Sequence, residues 1–181
     1  MDITPVRQGR SQAETIELLA AHPETRDLVG VYETVIALAN AVAEHGGRVY
    51  LVGGAVRDEI LDQVPRDFDL EVHGLTAEQL ESIVAKYGAP KPSGKSYGTY
   101  KLKSVQGKIE VALARRDYQT GSRHTDVDVD LIPDLGIIEA ARRREFTIGA
   151  IYKDVLSGQI YDPHRGIDDL VHHVGKIDLC D

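Results

Sequence analysis

Leu51-Val52-Gly53-Gly54-Ala55-Val56-Arg57-Asp58, followed after a short linker by Arg66-Asp67-Phe68-Asp69-Leu70-Glu71-Val72, is the stretch that decides how the chain folds. An apolar strand runs into a Gly-Gly turn, and a helix carrying Arg57 opens at once. The next strand carries Asp67 and Asp69 at i and i+2. Side chains two apart on a strand share a face, with Cα atoms about 6.6–6.8 Å apart. That frame suits two carboxylates converging on a pair of divalent ions roughly 3.5–4 Å apart. The bland alternative for the two aspartates is an exposed, capped pair. Gly53 and Gly54 let the backbone approach a phosphate closely, and their N–H groups can form an anion-binding nest. Arg57, in the first turn of the helix, can make charge-assisted bonds to phosphate. Its alternative is a tight strand–helix turn with Arg57 paired to Asp58. A phosphate cradle plus metal carboxylates is the minimum kit for nucleotidyl transfer.

Outward from this stretch, the periodicity gives helices over 11–21 and 27–45, the second with Leu28, Val31, Val35, Leu38 and Val42 at helical spacing and Gly46-Gly47 at its end. Val49–Val52 is a short buried strand and Ala55–Leu61 a helix. Thr76 caps a helix over 77–87. Tyr97–Lys103 and Lys108–Ala114 pair across Val105-Gln106-Gly107. Residues 115–134, polar and rich in Asp, Thr and Gly, are expected as a mobile loop. The alternating Asp126, Asp128 and Asp130 fit a solvated loop or strand edge better than a cation site, because no Gly-centred calcium loop is present. Helices are expected over 135–144 and 146–153. A hairpin turn at Leu156-Ser157-Gly158 leads into Gln159-Ile160-Tyr161, and a last short helix begins at Gly166. The domain expectation is an N-terminal helical extension, 1–46, on a catalytic unit spanning 47–181.

The 181 residues, 42% of them hydrophobic, suffice for a globular chain with a real core. No run of about 18 apolar residues is present, so no membrane-spanning helix is expected. The N-terminus lacks a signal-peptide pattern. The single cysteine, Cys180, forms no internal disulfide, and a reducing, cytoplasmic setting is expected. A net charge of −8 argues against a broad nucleic-acid-coating surface but leaves room for local basic patches. Two stand out: Lys91, Lys95, Lys101 and Lys103, and Arg142-Arg143-Arg144 before Phe146-Thr147-Ile148. A solvated face is the alternative for such a run. The histidines show no metal-ligand spacing, and His172-His173 reads as surface.

Gly53-Gly54-Ala55-Val56-Arg57-Asp58 with Asp67-Phe68-Asp69 resembles the head domain of class II tRNA nucleotidyltransferases (CCA-adding enzymes) and bacterial poly(A) polymerases. Three further blocks follow in family order. Ile109–Arg115 looks like the next strand of the catalytic sheet. Arg143-Arg144-Glu145-Phe146-Thr147-Ile148-Gly149-Ala150 looks like the family's Arg-Arg-Asp-Phe-Thr-Ile-Asn-Ala motif. Ile160–Leu170 looks like the segment closing the head. Glu145 and Gly149 stand where the family has Asp and Asn.

The resemblance implies an α/β (α+β) fold: a polymerase-beta-like nucleotidyltransferase palm with a mixed, mostly antiparallel sheet flanked by helices, plus N-terminal helices. It implies Mg²⁺ at Asp67 and Asp69, a third carboxylate at Glu110, and nucleotide contacts from Gly53, Gly54, Arg57 and Arg144. For Glu110, a strand-edge side chain facing solvent remains open. Arg143 and Arg115 either hold phosphate or cap carboxylates, and Asp162 and Asp168 read as turn and helix-cap residues. The implied reaction transfers NMP from ATP or CTP to an RNA 3′-hydroxyl, that of the tRNA 3′ end. The same chemistry on a protein or small-molecule acceptor is the second reading, and a non-catalytic nucleotide-binding module the third. In the family a helical neck chooses the base. No such motif lies in these residues, so base selection is expected from elsewhere, a second chain included.

Overall fold

The structure is a computed structural model, and it describes residues 3–88, 98–102, 108–119 and 127–172. Its elements in chain order are β1 (Arg7–Gln8), α1 (Gln12–Ala21), a 3₁₀ turn (Pro23–Thr25), α2 (Leu28–Glu44), β2 (Arg48–Val52), α3 (Gly54–Ile60), β3 (Phe68–His73) and α4 (Ala77–Ala85). There follow β4 (Thr99–Lys101), β5 (Ile109–Leu113), β6 (Arg115–Gln119), β7 (Val127–Leu131), α5 (Ile137–Ala141), a second 3₁₀ turn (Thr147–Gly149), β8 (Tyr152–Asp154), β9 (Gln159–Tyr161) and α6 (Gly166–His172). The seven-stranded sheet has the order β1-β9-β8-β2-β3-β5-β4. Every pairing in it is antiparallel except β3 with β5. This is the mixed, mostly antiparallel sheet with flanking helices that the resemblance implies.

Period-two alternation sorts the strands into two faces. On one face Val49, Leu51, Phe68, Leu70, Val72, Ile109 and Val111 are buried in a single core with Tyr32, Val35, Leu38 and Val42 of α2 and Leu80, Ile83 and Val84 of α4. Leu19 of α1 joins that core. On the other face Tyr50, Val52, Tyr152 and Tyr161 pack against Ile137 and Ala141 of α5. On β3 the polar residues Asp69, Glu71 and His73 alternate with Phe68, Leu70 and Val72, and so belong to this second face. The helices start where the sequence supplies caps. The hydroxyl of Thr76 accepts from the Gln79 N–H, and the Gln79 side chain accepts from the Thr76 N–H. Ser11 and Glu14 form the same reciprocal pair at α1.

Three expectations are corrected. Residues 115–119 and 127–131 are not loop: β6 and β7 pair antiparallel as a separate ribbon. Val127, Val129 and Leu131 alternate with Asp128 and Asp130, a strand period, and Arg116 lies opposite Asp130 across the ribbon. The helix expected over 146–153 is a single 3₁₀ turn followed by β8. Thr147, Ile148 and Gly149 are weak helix formers, and Tyr152–Asp154 pairs instead with Val52–Tyr50 of β2. The helix expected over 135–144 is confined to Ile137–Ala141. The turn Val105-Gln106-Gly107 lies outside the described residues, as do Lys91, Lys95, Lys103, Asp126, His173 and Cys180. Among the described residues, no helix is long and apolar enough to cross a membrane.

Candidate active site

Gly53 turns the chain from β2 into α3 with φ 67° and ψ −130°, a conformation open essentially to glycine alone. A Cβ added at Gly53 would lie 3.5 Å from Oδ2 of Asp69, so the turn and the β3 carboxylate are in close approach. The pairing register accounts for this: Val52, the last residue of β2, lies opposite Asp69. On its other side Asp69 is level with Glu110 of β5 across the parallel pair.

Asp69 stands in the wall between two cavities. One, about 560 Å³, is lined by Gly54, Arg57, Asp67 and Asp69 together with His22 and with Glu24 and Thr25 of the first 3₁₀ turn. The other, about 160 Å³, is lined by Asp69, Glu110, Arg115, Arg143 and Arg144. The sequence-predicted residues are thus distributed around a single carboxylate rather than gathered in one pocket. Arg57 also lies 3.8 Å from Asp58, so its pairing and its place in the cavity wall coexist. Glu110 faces Lys101 at 3.5 Å, and Asp67 faces Lys108 at 3.3 Å. Asp162 is a local cap, accepting from the N–H groups of Gly166 and Ile167 at 2.8 and 2.9 Å. Asp168 pairs with Arg165 at 2.9 Å.

The electrostatics mark Asp69 as the strained member. Partial enclosure raises the pKa of its carboxyl; the neighbouring Glu110 and Asp67 raise it further, and Arg144 and Lys101 oppose them. Like charges held together favour any cation that can join them. The donor set is all oxygen, which suits a hard divalent ion. Among the described residues, no three His, Cys, Asp or Glu form a ready metal cage. Mg²⁺ needs none: it is held by one or two carboxylates with waters and substrate phosphates completing the shell. Asp67 and Asp69 therefore fit Mg²⁺, with Glu110 beside them.

Arg144 is not a solvated member of a basic run. Its Nη2 donates to Oε2 of Glu71 at 3.0 Å, its Nε to the Tyr152 hydroxyl at 3.4 Å, and its guanidinium lies 5.5 Å from the Tyr152 ring centroid. Arg143 donates to the same Glu71 oxygen at 2.8 Å. Glu71, fully buried, and His73, which shares a hydrogen bond with it at 2.9 Å, were not singled out from sequence. The signal was present, since Asp69, Glu71 and His73 repeat at i, i+2 and i+4 along one strand face.

A mixed palm sheet with a glycine turn, strand carboxylates and inward arginines on one face is the architecture of a nucleotidyltransferase head. Residues 49–175 match the poly A polymerase head domain, and the chain belongs to that family. The multifunctional CCA protein of Xanthomonas campestris pv. campestris (strain B100) is 38% identical over 132 residues, 71% of this chain and 30% of that protein. The chain thus spans under a third of the length of this curated relative. A tRNA nucleotidyltransferase complexed with a primer tRNA and an incoming ATP analogue is 31% identical, with a TM-score of 0.54 over 74% of this chain and 36% of that one. The Thermotoga maritima CCA-adding enzyme complexed with tRNA CCA shares the fold at 22% identity, with a TM-score of 0.64 over 97% of this chain and 37% of that one.

Proposed function

We propose that this chain is the catalytic head of a nucleotidyltransferase that moves NMP from CTP or ATP to an RNA 3′-hydroxyl, with the tRNA 3′ end as acceptor. The observation that carries the reading is the position of Asp69 between the cavity of the glycine turn and Arg57 and the cavity of Glu110 and Arg144. The tRNA acceptor rests on the relatives, among them a tRNA nucleotidyltransferase complexed with primer tRNA. The head is assigned to residues 47–181, with 1–46 as its helical extension, and the compartment is the cytoplasm.

In this reading Asp67 and Asp69 hold Mg²⁺ and Glu110 is the third carboxylate. The chemistry a bound Mg²⁺ pair supplies is activation of the attacking hydroxyl and neutralisation of the triphosphate. The N–H groups at Gly53-Gly54 and the Arg57 guanidinium bind phosphate oxygens. Arg144, anchored from below by Glu71, orients the nucleotide. Base choice is supplied from outside these residues, by a further part of the molecule or a second chain.

The test is incubation with Mg²⁺, labelled CTP or ATP, and tRNA trimmed of its 3′ end. Label in the RNA supports the proposal. Label in protein or a small acceptor moves the function to the second reading. Absence of pyrophosphate release with every acceptor leaves only nucleotide binding.

A further inference from the structure

Glu71 is the hub of a buried polar cluster beneath the nucleotide face. Its Oε2 accepts from Nη2 of Arg143 at 2.8 Å and Nη2 of Arg144 at 3.0 Å, and its Oε1 lies 2.9 Å from Nε2 of His73. Nδ1 of His73 lies 2.7 Å from the carbonyl oxygen of Leu135, in the chain segment leading to α5. A carbonyl oxygen can only accept, and so can an ionised carboxylate. The His73 ring thus bridges two oxygens and ties Glu71 to the segment leading to α5. Burial alone would raise the pKa of Glu71, but the His73 hydrogen bond and the charges of Arg144 and Arg143 outweigh it and hold the group far below the usual carboxylate range. Two guanidiniums share the one carboxylate, which leaves a positive charge on the face from which Asp69 projects.

We propose that Glu71, braced by its hydrogen bond to His73, is the positioning residue that fixes Arg143 and Arg144 toward the incoming nucleoside triphosphate. This rests on the reaction proposed above. Arginine carries several rotatable bonds, and ordering such a side chain at binding costs conformational entropy. Arg143 and Arg144 share one oxygen of a buried carboxylate, so that ordering is done in the fold, before the nucleotide arrives. His73 blocks the other oxygen and keeps Glu71 from turning away. The ring is itself enclosed: Tyr50 and Tyr152 meet it edge-on, with centroids 5.2 and 6.4 Å away. On its open side it lines a cavity of about 320 Å³ with Arg48, Asp134 and Tyr161. Arg48 reaches Asp154 at 3.6 Å, which leaves Glu71 as the carboxylate that meets the His73 ring among the described residues.

Three measurements on the full 181-residue chain test this. In ¹⁵N NMR the ring nitrogen signals of His73 should move in the Glu71→Gln variant; unchanged signals overturn the His73 brace. Glu71→Gln keeps the shape and removes the charge. The expected result is a KM for CTP or ATP raised about tenfold, with kcat within threefold. Adding Arg144→Ala to Glu71→Gln should then cost much less than Arg144→Ala costs alone. Additive losses, or a lower melting temperature with an unchanged KM, reduce Glu71 to a structural residue and sink the proposal. If Glu71→Gln does not fold, His73→Gln, which can still donate one hydrogen bond to Glu71 but loses the ring that also reaches Leu135, should raise KM by a smaller factor. Should the wild-type chain transfer no nucleotide to any acceptor, the reaction reading fails separately. Calorimetric binding of Mg²⁺·CTP to the same variants then shows whether the cluster orders a nucleotide site.

Discussion

Neutralising Lys153 should be costly, because its charge is not on the surface. Its side chain is 2% exposed and its Nζ lies 2.6 Å from Oε2 of Glu59, itself 10% exposed. The other Glu59 oxygen accepts from the backbone N–H of Arg10 at 2.6 Å. One ion pair thus ties α3, β8 and the chain leaving β1. Removing one partner of a buried pair costs about 3–5 kcal/mol, because the other charge is left uncompensated. The two ends are unequal. Lys153→Met leaves Glu59 with the Arg10 N–H, so it should fall near the lower figure. Glu59→Leu leaves the ammonium stranded and also orphans that N–H, so it should fall near the upper one. At roughly 2–4 °C per kcal/mol for a chain of this size, the melting temperature should drop by about 6–12 °C for Lys153→Met and more for Glu59→Leu. Lys153→Met combined with Glu59→Leu should recover part of the loss but not all, since the Arg10 N–H stays unpaired. Calorimetric melting of the three variants is the assay. A Lys153→Met cost below about 1 kcal/mol, or a larger loss for Lys153→Met than for Glu59→Leu, would refute the reasoning.

Asp69→Asn should abolish nucleotide transfer while raising the melting temperature at neutral pH without metal. The folded-state pKa of Asp69 is raised, so its contribution to stability is present below the unfolded value and is lost as pH rises through the folded one; a thermal melt at pH 7 that falls instead contradicts this. Glu71 behaves in the opposite sense: its pKa is depressed on folding, so its stabilisation is present above the unfolded carboxylate value and lost as pH falls below it. Glu71→Gln should therefore flatten the acid limb of the stability–pH curve measured by denaturant titration. Gly166→Ala would place a Cβ 2.2 Å from the carbonyl oxygen and 2.6 Å from the carbonyl carbon of Thr147. The backbone just beyond Arg143 and Arg144 must shift, costing about 1–3 kcal/mol by circular dichroism melts and raising KM for the nucleotide.

Much of the fold was legible because its elements are locally specified. Thr76 with Gln79 announces α4, Gly46-Gly47 ends α2, and the Gly53 turn requires glycine. What escaped was decided by distant partners. Tyr152–Asp154 becomes strand because β2 offers an edge to pair with, and no local signal reports that edge. The ribbon of β6 and β7 was visible as alternation, but aspartate-rich alternation reads equally as solvated loop until Arg116 is known to lie opposite Asp130. At the candidate site, the glycine turn and Asp67, Asp69 and Glu110 could be placed from sequence order. The anchor of the arginines could not, because Glu71 and Arg144 are joined only when β3 and the segment after α5 are brought together.

The short strand β1 pairs with β9, and α2 covers the sheet face bearing Leu51, Leu70 and Val111. Both precede residue 49, where the family match begins. Expressed from that boundary, the polypeptide would keep every motif that identifies it yet bare an unpaired strand edge and a broad greasy sheet face. Exposed edges of this kind recruit strands from other molecules. The portion that carries the family likeness is therefore shorter than the portion that closes the sheet edge and covers the core, and trimming to the first invites precipitation.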